Sequence, residues 1–441
     1  MKLMWSKFNI CFKVDGKTYI YNMLSTSIAE IDQQIELALN TNDSSGLESE
    51  FISALKEEGF LVDTIENETD KYFYFYDLSR YSRAADCLSI VFIPTYYCNL
   101  RCTYCYEGKK DKLKRISKEE TDAIIRFAEK RILDSNSNTP VKELSVLLYG
   151  GEPLLCKKEL LYFCEEITKL ASRYSIDLSI DMVSNLTLLD EETIDFISKY
   201  DIHVQVSIDG DKEEHDIRRI RADGSGTFDV IIANLERLIE KGLKSNITIR
   251  LNTDVSNKES VIFLYKKAMK YSNDVYLGYL TKYGSLNDSF TSKCIETNCD
   301  DSKAIVLPSS FYKRLNLPIP QHFGKKGPCS LNCENKYLVD CFLDVYKCDL
   351  LIGHKECRVG YIDYEGNFIK NGQYYSQMCF SPAKSEKCIN CKLLPMCGGG
   401  CPAKEYLKQD RKDGNINIFD CDITERTLEE FLTDYVEGVE G

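Results

Sequence analysis

The sequence predicts an α/β fold: a partial (β/α)6 TIM-type barrel with a small N-terminal winged-helix-like module and a cysteine-rich C-terminal domain. Three observations carry that expectation. From Leu88 to about residue 283, six strand-sized apolar runs alternate with amphipathic helical stretches. Ahead of them, residues 1–66 read as two strands, two helices and a short strand. Behind them, the span from Cys329 to Cys421 holds 11 of the chain's 20 cysteines.

In the first module, "NICFKVDGKTYIYNML" alternates like two strands around an Asp15-Gly16 turn. "TSIAEIDQQIELALN" has helical spacing, and "LESEFISALKEEGFLVDT" gives a second helix closed by Gly59 and then a short strand. Residues 67–87 are a tyrosine-rich connection with no assignable element. The barrel strands, in 88–283, are "LSIVFIPT", "LSVLLYG", "DLSIDMVSN", "IHVQVSID", "NITIRLNT" and "DVYLGYL". The first helix between them opens on a capping box, Ser117 with Glu120. Such β-α units imply parallel strands joined by right-handed crossovers, and six are too few to close the eight-stranded barrel. Residues 284–328 are proline-rich with little periodicity and read as a linker or substrate-contacting insertion. In the last domain, 329–441, the hairpin "GYIDYEGNFIKN" is the clearest local structure.

Composition excludes several classes. A net charge of -13 argues against a nucleic-acid partner. The basic stretch "KKDKLKR", 109–115, reads as a solvated loop or a contact for an acidic peptide or redox partner. No run approaches the ~18 apolar residues of a membrane span, and no secretory signal precedes the first module, so a cytoplasmic location is expected. In a reducing compartment, clustered cysteines serve more often as metal ligands than as disulfides. With only four histidines, a histidine-rich metal centre has little to build from.

"YYCNLRCTYCYEG", 96–108, places Cys98, Cys102 and Cys105 directly after the first barrel strand. Tetrahedral zinc takes four ligands, whereas a 4Fe-4S cluster held by three thiolates leaves one iron open to a small molecule. With Tyr104 ahead of the last cysteine, the C-x3-C-x2-C spacing resembles the signature of radical S-adenosylmethionine (SAM) enzymes. In that family the cofactor chelates the open iron and is cleaved to a 5'-deoxyadenosyl radical. The resemblance extends along the chain. "YGGEP" offers Gly150, Gly151, Glu152 and Pro153 to the methionine ammonium, and Ser184 and Asn185 match the ribose-contacting position. "SIDG" brings Ser207 and Asp209, and "HDIRR" brings Arg218 or Arg219 as partner for the cofactor carboxylate. Alone, the glycines read as a turn, Ser-Asn as a strand end and the arginines as solvated charges. Together and in order they make the resemblance specific. "DGSGTFD", 223–229, is similar to a G-x-G-T-F stretch of members that act on peptides.

"CINCKLLPMCGGGC" followed by Cys421 resembles SPASM domains, which carry two auxiliary 4Fe-4S clusters. The resemblance assigns Cys388, Cys391, Cys397 and Cys421 to an outer cluster and Cys401 to an inner one, for three clusters in all. A zinc knuckle is the alternative, since thiolates alone do not separate zinc from iron. The inner set departs from the family pattern: after Cys357 and Gly366, Asn371 stands where a cysteine is expected. Cys348 is then the third ligand, with Cys341, Cys379 or Asn371 in reserve. Three thiolates would leave an iron open to a substrate thiolate. Cys11, Cys87, Cys156, Cys164, Cys294 and Cys299 read as ordinary thiols.

The N-terminal module resembles the precursor-peptide recognition elements of peptide maturases. The expected function is a radical SAM maturase that installs a cross-link, a cysteine thioether first and a carbon-carbon link second, on a ribosomally made precursor peptide. A flavodoxin or ferredoxin is the expected electron donor. An anaerobic sulfatase-maturing enzyme is an alternative, but its aspartate base is expected where Gly372 stands. An iron-sulfur electron-transfer or scaffold protein is the remote one. No catalytic side chain is singled out.

Overall fold

The computed structural model of the chain describes residues 3–63, 67–82, 86–105, 114–134, 140–254, 256–280, 328–407, 428–429, 432–433 and 435–437. Cys294, Cys299, Cys421, positions 284–327 of the insertion expected at 284–328 and positions 109–113 of the basic stretch lie outside the described residues.

At the N-terminus, β1 (Leu3–Trp5) is followed by β2 (Asn9–Val14) and β3 (Lys17–Asn22), paired antiparallel around Asp15 and Gly16, both at positive φ. β4 (Ile28–Ile31) adds to β3, so the stretch expected to be wholly helical starts as a strand. The helix α1 (Gln33–Asn40) begins only after Asp32, whose carboxylate accepts from the Ile35 N–H at 2.8 Å. Edge pairing to β3 outweighs the helical spacing of "IAEI", and the cap fixes the boundary. After α2 (Ser49–Glu57), β5 (Leu61–Asp63) pairs with β1. The tyrosine-rich connection is a helix, α3 (Glu68–Ser82). Tyr72 and Tyr76 are buried while Tyr74, Phe75 and Leu78 are exposed, so aromatic residues on both faces hide the helical period from the sequence.

The six expected barrel strands form one parallel run: β6 (Cys87–Ile93), β7 (Glu143–Leu148), β8 (Asp177–Ser184), β9 (His203–Ile208), β10 (Ile247–Thr253) and β11 (Asp274–Tyr279). Between them lie α4 (Lys118–Asp134), α5 (Lys157–Tyr174), α6 (Glu191–Lys199), α7 (Lys212–Arg218), α8 (Phe228–Glu240) and α9 (Lys258–Ala268). The capping box at α4 closes in both directions, Ser117 N–H to Glu120 Oε2 at 2.8 Å and Glu120 N–H to Ser117 Oγ at 3.2 Å. On the other side of β6 stands a seventh parallel strand, β12 (Lys336–Asp340), in register from Lys336 opposite Ser89 to Asp340 opposite Ile93. The sheet continues antiparallel through β13 (Asp344–Tyr346), β14 (Gly360–Ile362) and β15 (Phe368–Lys370), the last two forming the expected hairpin. The cysteine-rich region therefore extends the barrel sheet. "KYLVD" is five residues long and lies among cysteines, too short for its period to stand out.

A second apolar core joins the two ends of the chain: Phe8, Ile10, Phe12, Tyr72 and Tyr76 pack with Phe380, Cys388, Leu393, Leu394, Leu428, Leu432 and Val436. Among the described residues no helix is long and apolar enough to cross a membrane.

Candidate active site

After β6 the chain passes through the loop that bears the three clustered cysteines. Its backbone is stitched to the segment after α7: Arg101 N–H donates to Ile220 O at 2.7 Å and Thr103 N–H to Arg218 O at 2.9 Å. The loop after β7 presses on it from the other side. A Cβ on Gly151 would meet Tyr97 O at 2.3 Å and Tyr96 O at 2.4 Å, and one on Gly150, at φ +133, would meet Thr95 O at 2.5 Å. Two glycines stand here because backbone meets backbone with no room for a side chain.

Both loops open on a cavity of about 490 Å³ at the C-terminal mouth of the strands. Cys98, Cys102 and Cys105 line it together with Tyr104, Gly150, Gly151, Ser184, Asn185, Ser207 and Arg219. Four further sequence-predicted residues, Glu152, Pro153, Asp209 and Arg218, stand behind this lining. The Glu152 carboxylate is fully buried, accepting from Asn185 N–H at 2.8 Å, Ser184 Oγ at 2.9 Å and Leu154 N–H at 3.1 Å. It braces the end of β8 against the glycine loop rather than facing the cavity. Burial pushes its carboxyl up, and those three hydrogen bonds hold it down.

The adjacent arginines separate cleanly. Arg218 pairs with the buried Asp254 at 2.9 Å and donates to Ser256 Oγ at 2.8 Å. Arg219 lines the cavity, donates to Tyr104 OH at 2.8 Å and stands 4.0 Å from Asp209. Asn252 closes this network, donating to Tyr104 OH at 3.1 Å and Asp209 Oδ1 at 3.0 Å. Arg219 Nε and Asp209 Oδ2 are buried with no hydrogen-bond partner. Behind Arg219, His215 Nδ1 accepts from Asp209 N–H at 3.4 Å, which places the ring proton on Nε2, 3.0 Å from Thr227 Oγ1. Thr227 in turn donates to Arg219 O at 2.7 Å. Burial pulls His215 down to about 4, so the ring is neutral. The Gly-Thr-Phe stretch is thereby explained: the Asp216 carboxylate accepts from Thr227 and Phe228 N–H and caps α8, and a Cβ on Gly226 would meet that carboxylate at 2.1 Å.

Burial also pushes the Cys102 thiol up to about 11, against the pull of Arg219. A metal binding there must displace its proton. Asn185 Nδ2 points at Cys98 Sγ at 3.8 Å. The sequence reading missed Gln205, Arg250, Asn252, Lys336 and Asp349, which line the same cavity. A signal existed for three of them: Gln205 with Ser207, and Arg250 with Asn252, are polar at alternate positions of otherwise apolar strands, the mark of one polar face.

Residues 92–254 match the model of the Radical SAM superfamily. The chain carries a radical SAM domain. It is 24% identical over 69% of its length to a cysteine-type anaerobic sulfatase-maturating enzyme of Clostridium novyi, covering 84% of that protein. It is 22% identical over 96% of its length to the radical SAM cyclopropyl synthase TigE of Paramaledivibacter caminithermalis, covering 94% of it. Among solved structures, anSMEcpe with bound AdoMet superposes with a TM-score of 0.57 at 19% identity, over 80% of this chain and 94% of that one. Streptococcus suis SuiB bound to precursor peptide SuiA superposes with a TM-score of 0.51 at 16% identity, over 95% and 99%. Both likenesses are of fold. Radical SAM domains use S-adenosylmethionine and a 4Fe-4S cluster.

Beyond this domain, seven of the described cysteines fall into two groups. Cys348, Cys357 and Cys401 pack together with Cys329 among Leu331, Leu350, Leu351, Ala403, Tyr406 and Leu407. Burial pushes the Cys348 thiol well up, reinforced by Asp349, Cys329 and Cys401. Cys329, which the sequence reading did not single out, thus joins this set. The reserves do not: Cys341 is buried in the barrel core near Lys114, and Cys379 is exposed. Asn371 caps α10 (Gly372–Met378), accepting from Tyr374 N–H at 3.2 Å while donating to Arg358 O at 2.7 Å. Cys388 and Cys397 lie on short helical turns close to Tyr72, and Cys391, just past the first turn, packs against the shared core. Among the described residues no three Cys, His, Asp or Glu side chains converge on one metal ion. A cubane asks for no such convergence, because each thiolate takes its own iron.

Proposed function

We propose that this radical SAM enzyme is a cytoplasmic maturase that joins two carbons of a ribosomally made precursor peptide. The observation that carries the choice of bond is the company Cys329 keeps with Cys348, Cys357 and Cys401. Four thiolates fill the shell of an inner cluster and leave no iron for a substrate thiolate, so a thioether made by direct ligation needs one of them to leave. The carbon-carbon route needs no such exchange.

In this reading Cys98, Cys102 and Cys105 hold the cluster that binds the cofactor, and Cys388, Cys391, Cys397 and Cys421 hold the outer one. When bound, S-adenosylmethionine and its cluster supply the hydrogen-abstracting radical. The chain's own residues position it. Arg219 offers its guanidinium to the cofactor carboxylate, Gly150 and Gly151 offer backbone to the ammonium, and Ser184 and Asn185 face the ribose; Ser207 and Tyr104 complete the lining, with Asp209 behind it. The donor set fits: two buried polar atoms of the Arg219 and Asp209 pair lack partners beside a cavity lined by three thiols. A flavodoxin or ferredoxin supplies electrons.

The peptide substrate is supported by the precursor-bound enzyme, which matches 95% of this chain, as the cyclopropyl synthase matches 96% of it. The sulfatase maturase matches 69% of the chain, and Gly372 offers no carboxylate where that reaction's base is expected. The test is co-expression with each short open reading frame beside the gene, followed by mass spectrometry. A carbon-carbon link lowers the peptide mass by two hydrogens and leaves every cysteine open to alkylation. A blocked cysteine would restore the thioether, and formylglycine would restore the sulfatase reading.

A further inference from the structure

Tyr72 lies on α3, the helix that the sequence left unassigned. Its side chain is 3% exposed and packs in the core shared by Phe8, Ile10, Cys388 and Leu394. Its ring stands 5.9 Å from that of Tyr76, one turn on. The hydroxyl is buried and has no hydrogen-bond partner among the described residues. A phenol is protonated at neutral pH, so the hydroxyl is a donor in search of an acceptor. A buried hydroxyl without a partner is unfavourable, and such groups in native proteins are nearly always satisfied.

We propose that Tyr72 donates a hydrogen bond to a sulfur of the outer cluster and thereby sets its reduction potential. This rests on the reading that Cys388, Cys391, Cys397 and Cys421 hold that cluster. Sulfur is an acceptor at hand, because Cys388 and Cys391 belong to the same core as Tyr72. A hydrogen bond to cluster sulfur stabilises the more negative, reduced state and raises the potential. Tyr72 is a tuning residue: it touches the auxiliary cluster, and neither the substrate nor S-adenosylmethionine.

The experiment compares wild type, Y72F and Y76F as reconstituted full-length enzymes. In an EPR-monitored redox titration, one cluster of Y72F should have a lower midpoint, and C388A should identify it as the outer cluster by losing that signal. Y76F should leave that midpoint in place. Pulsed ENDOR in deuterated buffer should show an exchangeable deuteron coupled to the outer cluster in wild type and none in Y72F. The iron-free proteins should differ in the opposite sense, Y72F melting no lower than wild type because an unpaired hydroxyl has been removed. Unchanged midpoints and unchanged coupling in Y72F would overturn the proposal, as would a Y72F protein destabilised equally with and without iron. A C388A protein with wild-type iron content would sink the outer-cluster reading beneath it.

Discussion

The two cysteine sites that share the cavity wall are built by opposite means. Around Cys98, Cys102 and Cys105 the protein supplies backbone stitching, glycine contacts and the polar network of Tyr104, Arg219, Asp209 and Asn252. Around Cys329, Cys348, Cys357 and Cys401 it supplies mainly leucines, an alanine and a tyrosine, with Asp349 beside Cys348 and Gln377 donating to Cys357 O at 2.8 Å. Only Asp349 and Leu350 of that segment reach the cavity. The first site opens on the cavity and, on the proposed reading, holds a charged cofactor in one orientation, which takes directed bonds. The second is half-enclosed, with Cys348 and Cys357 buried, and on the proposed reading its apolar packing keeps solvent from a cluster. Polar architecture therefore marks where chemistry enters, and apolar architecture marks where it is kept out.

The comparison breaks most visibly by removing either thiol set. Replacing Cys98, Cys102 and Cys105 together by Ala is expected to abolish 5'-deoxyadenosine formation under dithionite while auxiliary iron remains. Full cleavage by that variant would remove the cavity mouth from the mechanism. Next, C329A should lose the inner cluster's iron, whereas C341A and C379A should keep it. Iron retained in C329A and lost in C341A would redraw the set.

The neighbouring arginines sharpen it at smaller scale. R219M should weaken S-adenosylmethionine binding by about tenfold to a hundredfold, the loss of one hydrogen bond between charged groups. R218M should leave that affinity nearly intact but lower unfolding free energy by about 3–5 kcal/mol, since Asp254 would remain buried and unpaired. Equal effects on affinity would erase the distinction.

The smallest effect is that of pH on His215. Its folded value, about 4, lies below the ordinary 6.5, so below pH 6.5 the unfolded chain binds the proton more readily. Stability should therefore fall between pH 6.5 and 4, by up to about 3 kcal/mol more in wild type than in H215Q. Denaturant melts at several pH values read the difference; parallel curves would show that the ring is charged in the fold.

Much of this was legible in the sequence. The six barrel strands announced themselves because each is apolar and long enough for its pattern to register, and the cysteine loop because its spacing is chemically restrictive. β12 was hidden by its brevity, β4 by a helical pattern that pairing overrode, and α3 by aromatic residues on both faces. Cys329 was beyond sequence reasoning, since nothing local ties it to cysteines 19 to 72 residues downstream; the barrel sheet brings them together. Arg218 and Arg219 could not be told apart by type or neighbourhood. Their roles are set by the turn that ends α7, which sends one side chain to Asp254 and the next to the cavity.

The apolar core shared by the two ends of the chain bears on how such enzymes are re-targeted. Phe8, Ile10 and Phe12 form a wall of the same core as Cys388 and Leu394, and Lys7 Nζ donates to Ile389 O at 3.0 Å between the two cysteines of the C-x2-C turn. The N-terminal module is thus not a cassette that can be cut away or swapped at residue 66. A chimera that imports a foreign module needs the matching α3 and the 380–397 segment with it, or the graft line will run through the middle of a core.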